Sequence, residues 1–74
     1  MKQTNIERVF ELFELCREQF EDRMNTGKRE AAYGNLCACF ALRLAGTIFE
    51  PDAVELERMQ AAQGAMFNWF FGKE

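Results

Sequence analysis

The chain has 74 residues, of which 49% are hydrophobic and eight are Phe, and its formal net charge at pH 7 is −3. This length predicts at most one domain, residues 1–74. Its core is marginal because a chain this short buries only about 60% of its unfolded surface. Chains of this size are often stabilised by a partner chain. The acidic balance argues against a protein that binds the phosphate backbone of nucleic acids, which would be basic.

The first predicted helix covers about residues 5–24. Thr4 and Glu7 have the spacing of a capping box, in which a hydroxyl and a carboxylate each accept from a backbone amide. Apolar residues then recur at steps of three and four, which places them on one stripe: Ile6, Val9, Phe10, Phe13, Cys16, Phe20 and Met24. The letters NTG at 25–27 predict the end of this helix, because Gly accepts the left-handed conformation found there.

The same helix segregates its acidic residues on an arc of about 100°, opposite the apolar stripe. This acidic ridge consists of Glu7, Glu11, Glu14, Glu18 and Glu21. An ordinary solvated helix face is one interpretation. The functional hypothesis is a surface that docks on a basic patch of a larger protein, such as a nucleic-acid-binding groove, because complementary charge speeds association and selects partners.

The second predicted helix covers about residues 28–47 and ends near Gly46. One of its faces carries only small residues and would let another backbone approach closely: Ala31, Gly34, Ala38, Ala41 and Ala45. A bulky face about 120° away is expected to enter the core: Tyr33, Leu36, Cys37, Phe40, Leu44 and Ile48. We expect self-association across a two-fold axis through this helix; the alternative is that helix 1 or 3 of the same chain covers the small face.

Cys37 and Cys39 stand two residues apart in this helix, so their side chains diverge by about 200° and cannot hold one ion together. A zinc site takes four ligands, and the chain has three Cys and no His. We therefore interpret the cysteines as reduced and at least partly buried core residues, with Cys16 near Cys37 if the first two helices pair. No metal and no cofactor is expected.

Residues 31–49 are long enough to cross a membrane. Asn35 and Arg43 interrupt them, however, and a central Arg costs roughly 2.5–3.5 kcal/mol on insertion scales. We expect no membrane span. The odd number of cysteines and the lack of an apolar segment in MKQTNIERVF predict a cytoplasmic protein without a signal peptide.

The third predicted helix covers about residues 51–71, because Pro51 is favoured in a first helical turn and Gly72 follows the last one. Its inward stripe is expected to hold Leu56, Met59, Ala62, Met66 and Phe70. The remaining large rings, Phe67, Trp69 and Phe71, spread over more than half of the helix circumference. Since such rings are typical interface anchors, we expect at least one to contact another chain; the alternative is that neighbouring helices enclose all three.

The short connections favour antiparallel neighbours, so the predicted fold is all-α: a helical hairpin plus a third helix, a small three-helix bundle completed by dimerisation. Without His, a nucleophile–base pair or a phosphate-binding Gly motif, no enzyme is expected.

The function hypothesis is a small acidic interaction protein, a homodimer, that binds a larger macromolecule and modulates or inhibits it. In general style only, it resembles small phage- or plasmid-borne inhibitors of host machinery. One alternative is a helix-turn-helix transcriptional regulator, although Arg58 and Lys73 are the only basic residues of the third helix and a recognition helix needs several donors. The other is a helical oligomer that binds a small ligand between protomers.

Overall fold

The computed structural model describes residues 4–72, which form three α-helices and no strand. α1 spans Asn5–Asn25, α2 spans Arg29–Phe49 and α3 spans Val54–Phe70, which confirms the predicted all-helical three-helix bundle. The molecule measures 38 × 24 × 14 Å and has a radius of gyration of 12.5 Å, compared with about 11 Å for a compact chain of this length. The bundle is therefore thin and elongated, and it leaves much of each helix open to solvent.

The predicted capping signals are confirmed at both ends of α1. The Thr4 hydroxyl accepts from the Glu7 amide at 3.2 Å, and the Glu7 carboxylate accepts from the Thr4 amide at 2.8 Å. These bonds from Thr4 lower the pKa of Glu7, because they favour its charged form. Beyond the other end, Gly27 has φ 76°, and Gly72 after α3 has φ 70°; both are in the left-handed region that favours glycine.

Two observed helix ends differ from the sequence prediction. α2 continues past Gly46 to Phe49, because Gly46 is a buried packing residue inside the helix and not its terminator. α3 begins at Val54 and not at Pro51, because Pro51 lies in a turn closed by the Ala53 amide, which donates to the Glu50 carbonyl at 3.1 Å. Pro is well suited to the second position of such a turn.

The core is formed by one stripe of each helix. The predicted stripes of α1 and α3 are confirmed, since their members are buried or packed against the buried residues. The buried apolar side chains are Ile6, Val9, Phe13 and Phe20 of α1, Ala32, Leu36 and Cys39 of α2, and Met59, Met66 and Phe70 of α3.

The bulky face of α2 does not enter the core, so this prediction is wrong. Leu36 is its only buried residue, Tyr33, Phe40 and Leu44 are about half exposed, and Ile48 is 82% exposed. The side that α2 turns inward is narrower and carries small residues at a seven-residue spacing: Ala32, Cys39 and Gly46.

Gly46 shows why the small residues face inward. A Cβ atom at this position would lie 2.9 Å from Cδ2 of Leu56 and 3.0 Å from Cδ1 of Ile6. Such distances are shorter than ordinary van der Waals contact, so even a methyl group would require Leu56 and Ile6 to shift, and a larger side chain would not fit where α1, α2 and α3 meet. Close approach through small residues leaves no room for the rings of α2, which are displaced to the outside.

A buried polar cluster links α1 to α2 and was not predicted. Asn35 is 5% exposed, and its Oδ1 accepts from Nη1 of Arg23 at 2.5 Å. Its Nδ2 donates to Oε1 of Gln19 at 3.1 Å and to Sγ of Cys16 at 3.3 Å. Because the side chain of Asn35 is fully bonded, its burial does not carry the cost of an unsatisfied amide.

Candidate functional site

An apolar groove of about 250 Å³ lies between α2 and the C-terminal half of α3. Apart from the amide of Gln63 and the hydroxyl of Tyr33, the side chains that line it are apolar. The lining consists of Tyr33, Leu36, Cys37 and Phe40 of α2, Gln63 and Phe67 of α3, and Phe71 just beyond α3.

One end of the groove is built from packed rings. The ring centroid of Phe71 lies 4.5 Å from that of Phe67 and 5.0 Å from that of Phe70, whose centroid lies 5.5 Å from that of Tyr33. Arg29 holds this end of α3 in place, since its guanidinium lies 4.2 Å from the Phe70 ring centroid and donates to the Phe70 carbonyl at 2.6 Å. This cation complements the negative end of α3, whose last turn has no basic residue of its own.

The groove continues into an exposed stripe along α2. We define the outer face of α2 as the residues Tyr33, Cys37, Phe40, Leu44 and Ile48, which recur at steps of four, three, four and four. The only charged residue in 31–49 is Arg43. Its guanidinium donates to Oε1 of Gln63 at 2.7 Å and lies 5.3 Å from the Phe40 ring centroid. The outer face is thus an apolar surface with one cation held at its edge.

The structure divides the three proposed aromatic anchors between two surfaces. Phe67 and Phe71 line the groove and are each 47% exposed. Trp69 lies on the side of α3 that faces α1, where its ring meets Phe20 edge-on with centroids 5.8 Å apart, and it remains 43% exposed. None of the three is enclosed by neighbouring helices.

The small face of α2 is not covered by α1 or α3. Ala31, Gly34 and Ala41 are exposed, Ala38 and Ala45 are half-buried, and a Cβ atom at Gly34 would have no neighbour within 4 Å. Self-association through this face stays a prediction, and the face adjoins the outer face on the surface of α2.

The acidic ridge of α1 has a cation, Arg17, bonded to two of its carboxylates. Nε of Arg17 lies 2.9 Å from Oε2 of Glu14, and Nη1 lies 2.7 Å from Oε2 of Glu21. The hydrogen bond from Arg17 to Glu14 raises the pKa of Arg17, and the negative charges of Glu14 and Glu21 raise it further. Glu7 belongs to the capping box, whereas Glu11 and Glu18 are exposed. The ridge is therefore partly neutralised near its middle.

The cysteines lie in three different environments. Cys37 is exposed on the outer face, so the expectation that it is partly buried is wrong, and it follows from the mistaken orientation of the bulky face. Cys16 neighbours Cys39 and not Cys37. Sγ of Cys16 donates to the Asn35 carbonyl, and Sγ of Cys39 donates to the Phe13 carbonyl, each at 3.7 Å. Burial, and next the neighbouring Cys16, raise the pKa of Cys39 to about 12.

In dilute, monomeric protein, we expect alkylation by iodoacetamide at pH 8 to modify Cys37 first. The Cys37 thiol is accessible because it is exposed. Cys39 is buried, and its raised pKa keeps it protonated at pH 8. Only the thiolate form reacts. Cys39 should react only after unfolding in urea, where its pKa returns to about 8.5. Peptide mass spectrometry at timed intervals measures the order; equal rates for Cys37 and Cys39 in the native protein would contradict the described packing.

Two further features concern a metal site and a membrane span. In residues 4–72, no three Cys, Asp or Glu side chains come together in a way that could hold a metal ion. α2 is long and apolar enough to cross a membrane by length and composition, a test that a core helix of a soluble protein also passes. Neither finding identifies a function, and the exposed apolar surface remains the main candidate site.

Comparison with known proteins adds no family to this description. No protein-family model, no curated protein and no solved structure matches the chain with significance. Function has therefore to be inferred from the outer face, the groove and the surface between α1 and α3.

Proposed function

We propose that this chain is a small non-catalytic interaction protein, which self-associates and binds a larger macromolecule whose activity it modulates or inhibits. The observation that supports this proposal is the apolar surface formed by the outer face of α2 and the groove beside it. Exposed apolar patches of this kind are typical of interfaces, and rings are the residues that most often anchor them. In a chain of 74 residues, such a surface is a large part of the molecule.

The two alternative functions receive less support from the same surfaces. Arg58 is the only basic residue within α3, and Lys73 lies outside the described residues, so a helix-turn-helix would lack the donors that contact phosphates and bases. The groove is lined almost only by apolar side chains, with few of the polar groups that orient a small ligand. Its lining suits protruding apolar side chains of a protein better than a separate ligand.

The partner contact is assigned to the other side of the molecule, between α1 and α3. Glu14, Glu21 and Ala65 border a shallow depression there, and Trp69 follows Ala65 by one helical turn on the same side, against Phe20. Arg17 and Arg58 also line this depression and offset its two carboxylates. The indole of Trp69 is therefore the apolar anchor of this side, and the exposed Glu11 and Glu18 of the ridge supply the charge that favours a basic partner. This assignment retains the acidic ridge and Trp69 as the two docking elements.

The experiment is affinity capture from the source cell with the immobilised wild-type protein, followed by mass spectrometry and titration of the captured partner. If Trp69 is the anchor, Trp69→Ala weakens binding by roughly 2 kcal/mol, with little dependence on salt. If the ridge dominates, the double variant Glu11→Lys/Glu18→Lys slows association, and wild-type binding weakens as salt is raised.

Glu57→Lys serves as the matched control, because it reverses the same charge at an exposed position near the start of α3. It should leave binding within about twofold of wild type if the partner contacts a defined surface, as surface changes outside an interface usually do. Circular dichroism checks that each variant keeps its helices. Equal binding by all four proteins would mean that Trp69 and the ridge are structural and that the partner assignment is wrong.

A further inference from the structure

We propose that a second copy of this chain covers the outer face of α2, with the two α2 helices antiparallel and a two-fold axis passing close to Phe40. This inference rests on the self-association proposed above and adds the surface, the orientation and the register. It places the contact on the bulky outer face and not on the small face of α2.

The outer face contains both a groove and the side chains that fit it. The groove lies at the N-terminal half of α2, at Tyr33, Cys37 and Phe40. Leu44 and Ile48, which are 47% and 82% exposed, protrude from the C-terminal half. In an antiparallel pair, each C-terminal half lies on the N-terminal half of the other helix, so Leu44 and Ile48 of the partner subunit enter the groove.

The spacing along α2 makes this contact reciprocal. Tyr33 and Ile48 are nearly equidistant in sequence from a point between residues 40 and 41, and so are Cys37 and Leu44. A two-fold axis at that point places Tyr33 opposite Ile48 of the partner subunit and Cys37 opposite the partner's Leu44. An isologous interface requires this self-complementarity, in which the same patch supplies both sides of every contact.

The exposed area is sufficient for an interface of modest strength. Tyr33, Phe40, Phe67 and Phe71 are each 46–51% exposed, and because a ring residue buries about 150–250 Å² in full, the four supply roughly 400 Å². A standard interface takes about 800 Å² from each partner, and Leu44 and Ile48 supply part of the remainder, so this interface is smaller than the standard size. We therefore expect a dimer that dissociates in the micromolar range.

Charge favours a second copy over a lipid surface. Helices that lie on membranes usually border their apolar face with free Lys or Arg side chains. Here the two arginines beside the face are bonded within the chain, Arg29 to the Phe70 carbonyl and Arg43 to Gln63. The carboxylates of the acidic ridge are on α1, so two copies of charge −3 can meet on α2 without placing those groups opposite each other.

The register is tested by disulfide formation in the variant L44C. Its new thiol should face Cys37 of the partner subunit, within the Cα separation of about 4.4–6.8 Å that a disulfide needs. Within one helix, residues 37 and 44 are about 10 Å apart along the axis, so this disulfide forms only between chains. After oxidation by glutathione disulfide, L44C should give at least tenfold more covalent dimer on a non-reducing gel than wild type, and L44C/C37S should return to the wild-type level.

Light scattering and a matched pair of variants test the surface itself. The wild-type mass should approach twice 8.6 kDa as the concentration is raised well above the dissociation constant. I48D should raise the dimer dissociation constant at least tenfold, whereas L15D, which alters an aliphatic residue that is 54% exposed on α1, should change it less than twofold. Both changes are at exposed positions, and circular dichroism verifies that the helices are retained.

Each contrary result overturns a different step. A monomer at all concentrations removes the self-association in the proposed function and this inference with it. A dimer without the L44C crosslink, or with a crosslink that persists in L44C/C37S, overturns the antiparallel register and leaves self-association intact. A monomer that binds phosphatidylcholine vesicles, and loses that binding in I48D, would show that lipid and not a second copy covers the face.

Discussion

Replacing Gly46 by Leu is expected to destabilise the fold by about 3 kcal/mol, at the upper end of the usual range for overpacked cores. The Cβ position alone lies 2.9 Å from Leu56 and 3.0 Å from Ile6, and a leucine adds three more carbon atoms at that point. α2 would have to move away from both other helices, which would open the core at Val9 as well. Urea unfolding followed by circular dichroism measures the loss of free energy.

The matched control for this variant is Gly34→Leu in the same helix. A Cβ atom at Gly34 would have no neighbour within 4 Å, so the main expected effect on the monomer is the gain in helix propensity, about 0.8 kcal/mol. Gly46→Ala is expected to lie between the two, because its single methyl group meets only the ends of flexible side chains. If Gly46→Leu were as stable as Gly34→Leu, α1 and α3 would not meet α2 at Gly46.

The positions of the three helices can be predicted from local sequence signals, whereas the side of α2 that faces the core cannot. α1 has one apolar stripe and a capping box, so its inward side is unambiguous. α2 is apolar almost all round, and hydrophobicity alone then assigns the bulkiest residues to the core. The deciding factor is the distance between helix axes, which the seven-residue spacing of Ala32, Cys39 and Gly46 allows to be short; this spacing is visible in the sequence, but small residues also recur on the exposed small face of α2, so their spacing alone does not identify the inward side.

The candidate site shows the same division between composition and geometry. The excess of rings at the C-terminus is a property of the sequence, but the separation of Phe67 and Phe71 from Trp69 depends on where α1 and α2 lie against α3. Gln63, which lines the groove, accepts from Arg43 of α2, a contact that depends on how the two helices pack. In the acidic ridge, Arg17 stands three residues after Glu14 and four before Glu21, so helical spacing could have predicted both ion pairs.

Phe20→Ala is expected to cause the largest loss of stability of any single change discussed, about 3–5 kcal/mol, as buried Phe residues do on truncation. Phe20 is fully buried, and its ring meets Trp69 edge-on at 5.8 Å. At 0.05–0.15 kcal/mol per residue, a chain of this size has roughly 4–11 kcal/mol of stability in total. The variant is therefore expected to populate unfolded molecules at temperatures where the wild type is fully folded.

The fluorescence of Trp69 reports this effect directly, because it is the only Trp in the chain. Loss of the Phe20 ring uncovers one side of the indole, so emission should shift to longer wavelength even in the molecules that remain folded. Phe49→Ala is the control, since Phe49 is 55% exposed at the end of α2, and it should change stability by no more than about 0.5 kcal/mol and leave the emission unchanged. A Phe20→Ala variant that loses less than about 1 kcal/mol, with unchanged emission, would mean that α3 does not pack its C-terminal end against α1. In that case the surface on which Trp69 and the acidic ridge meet would not exist as a binding site.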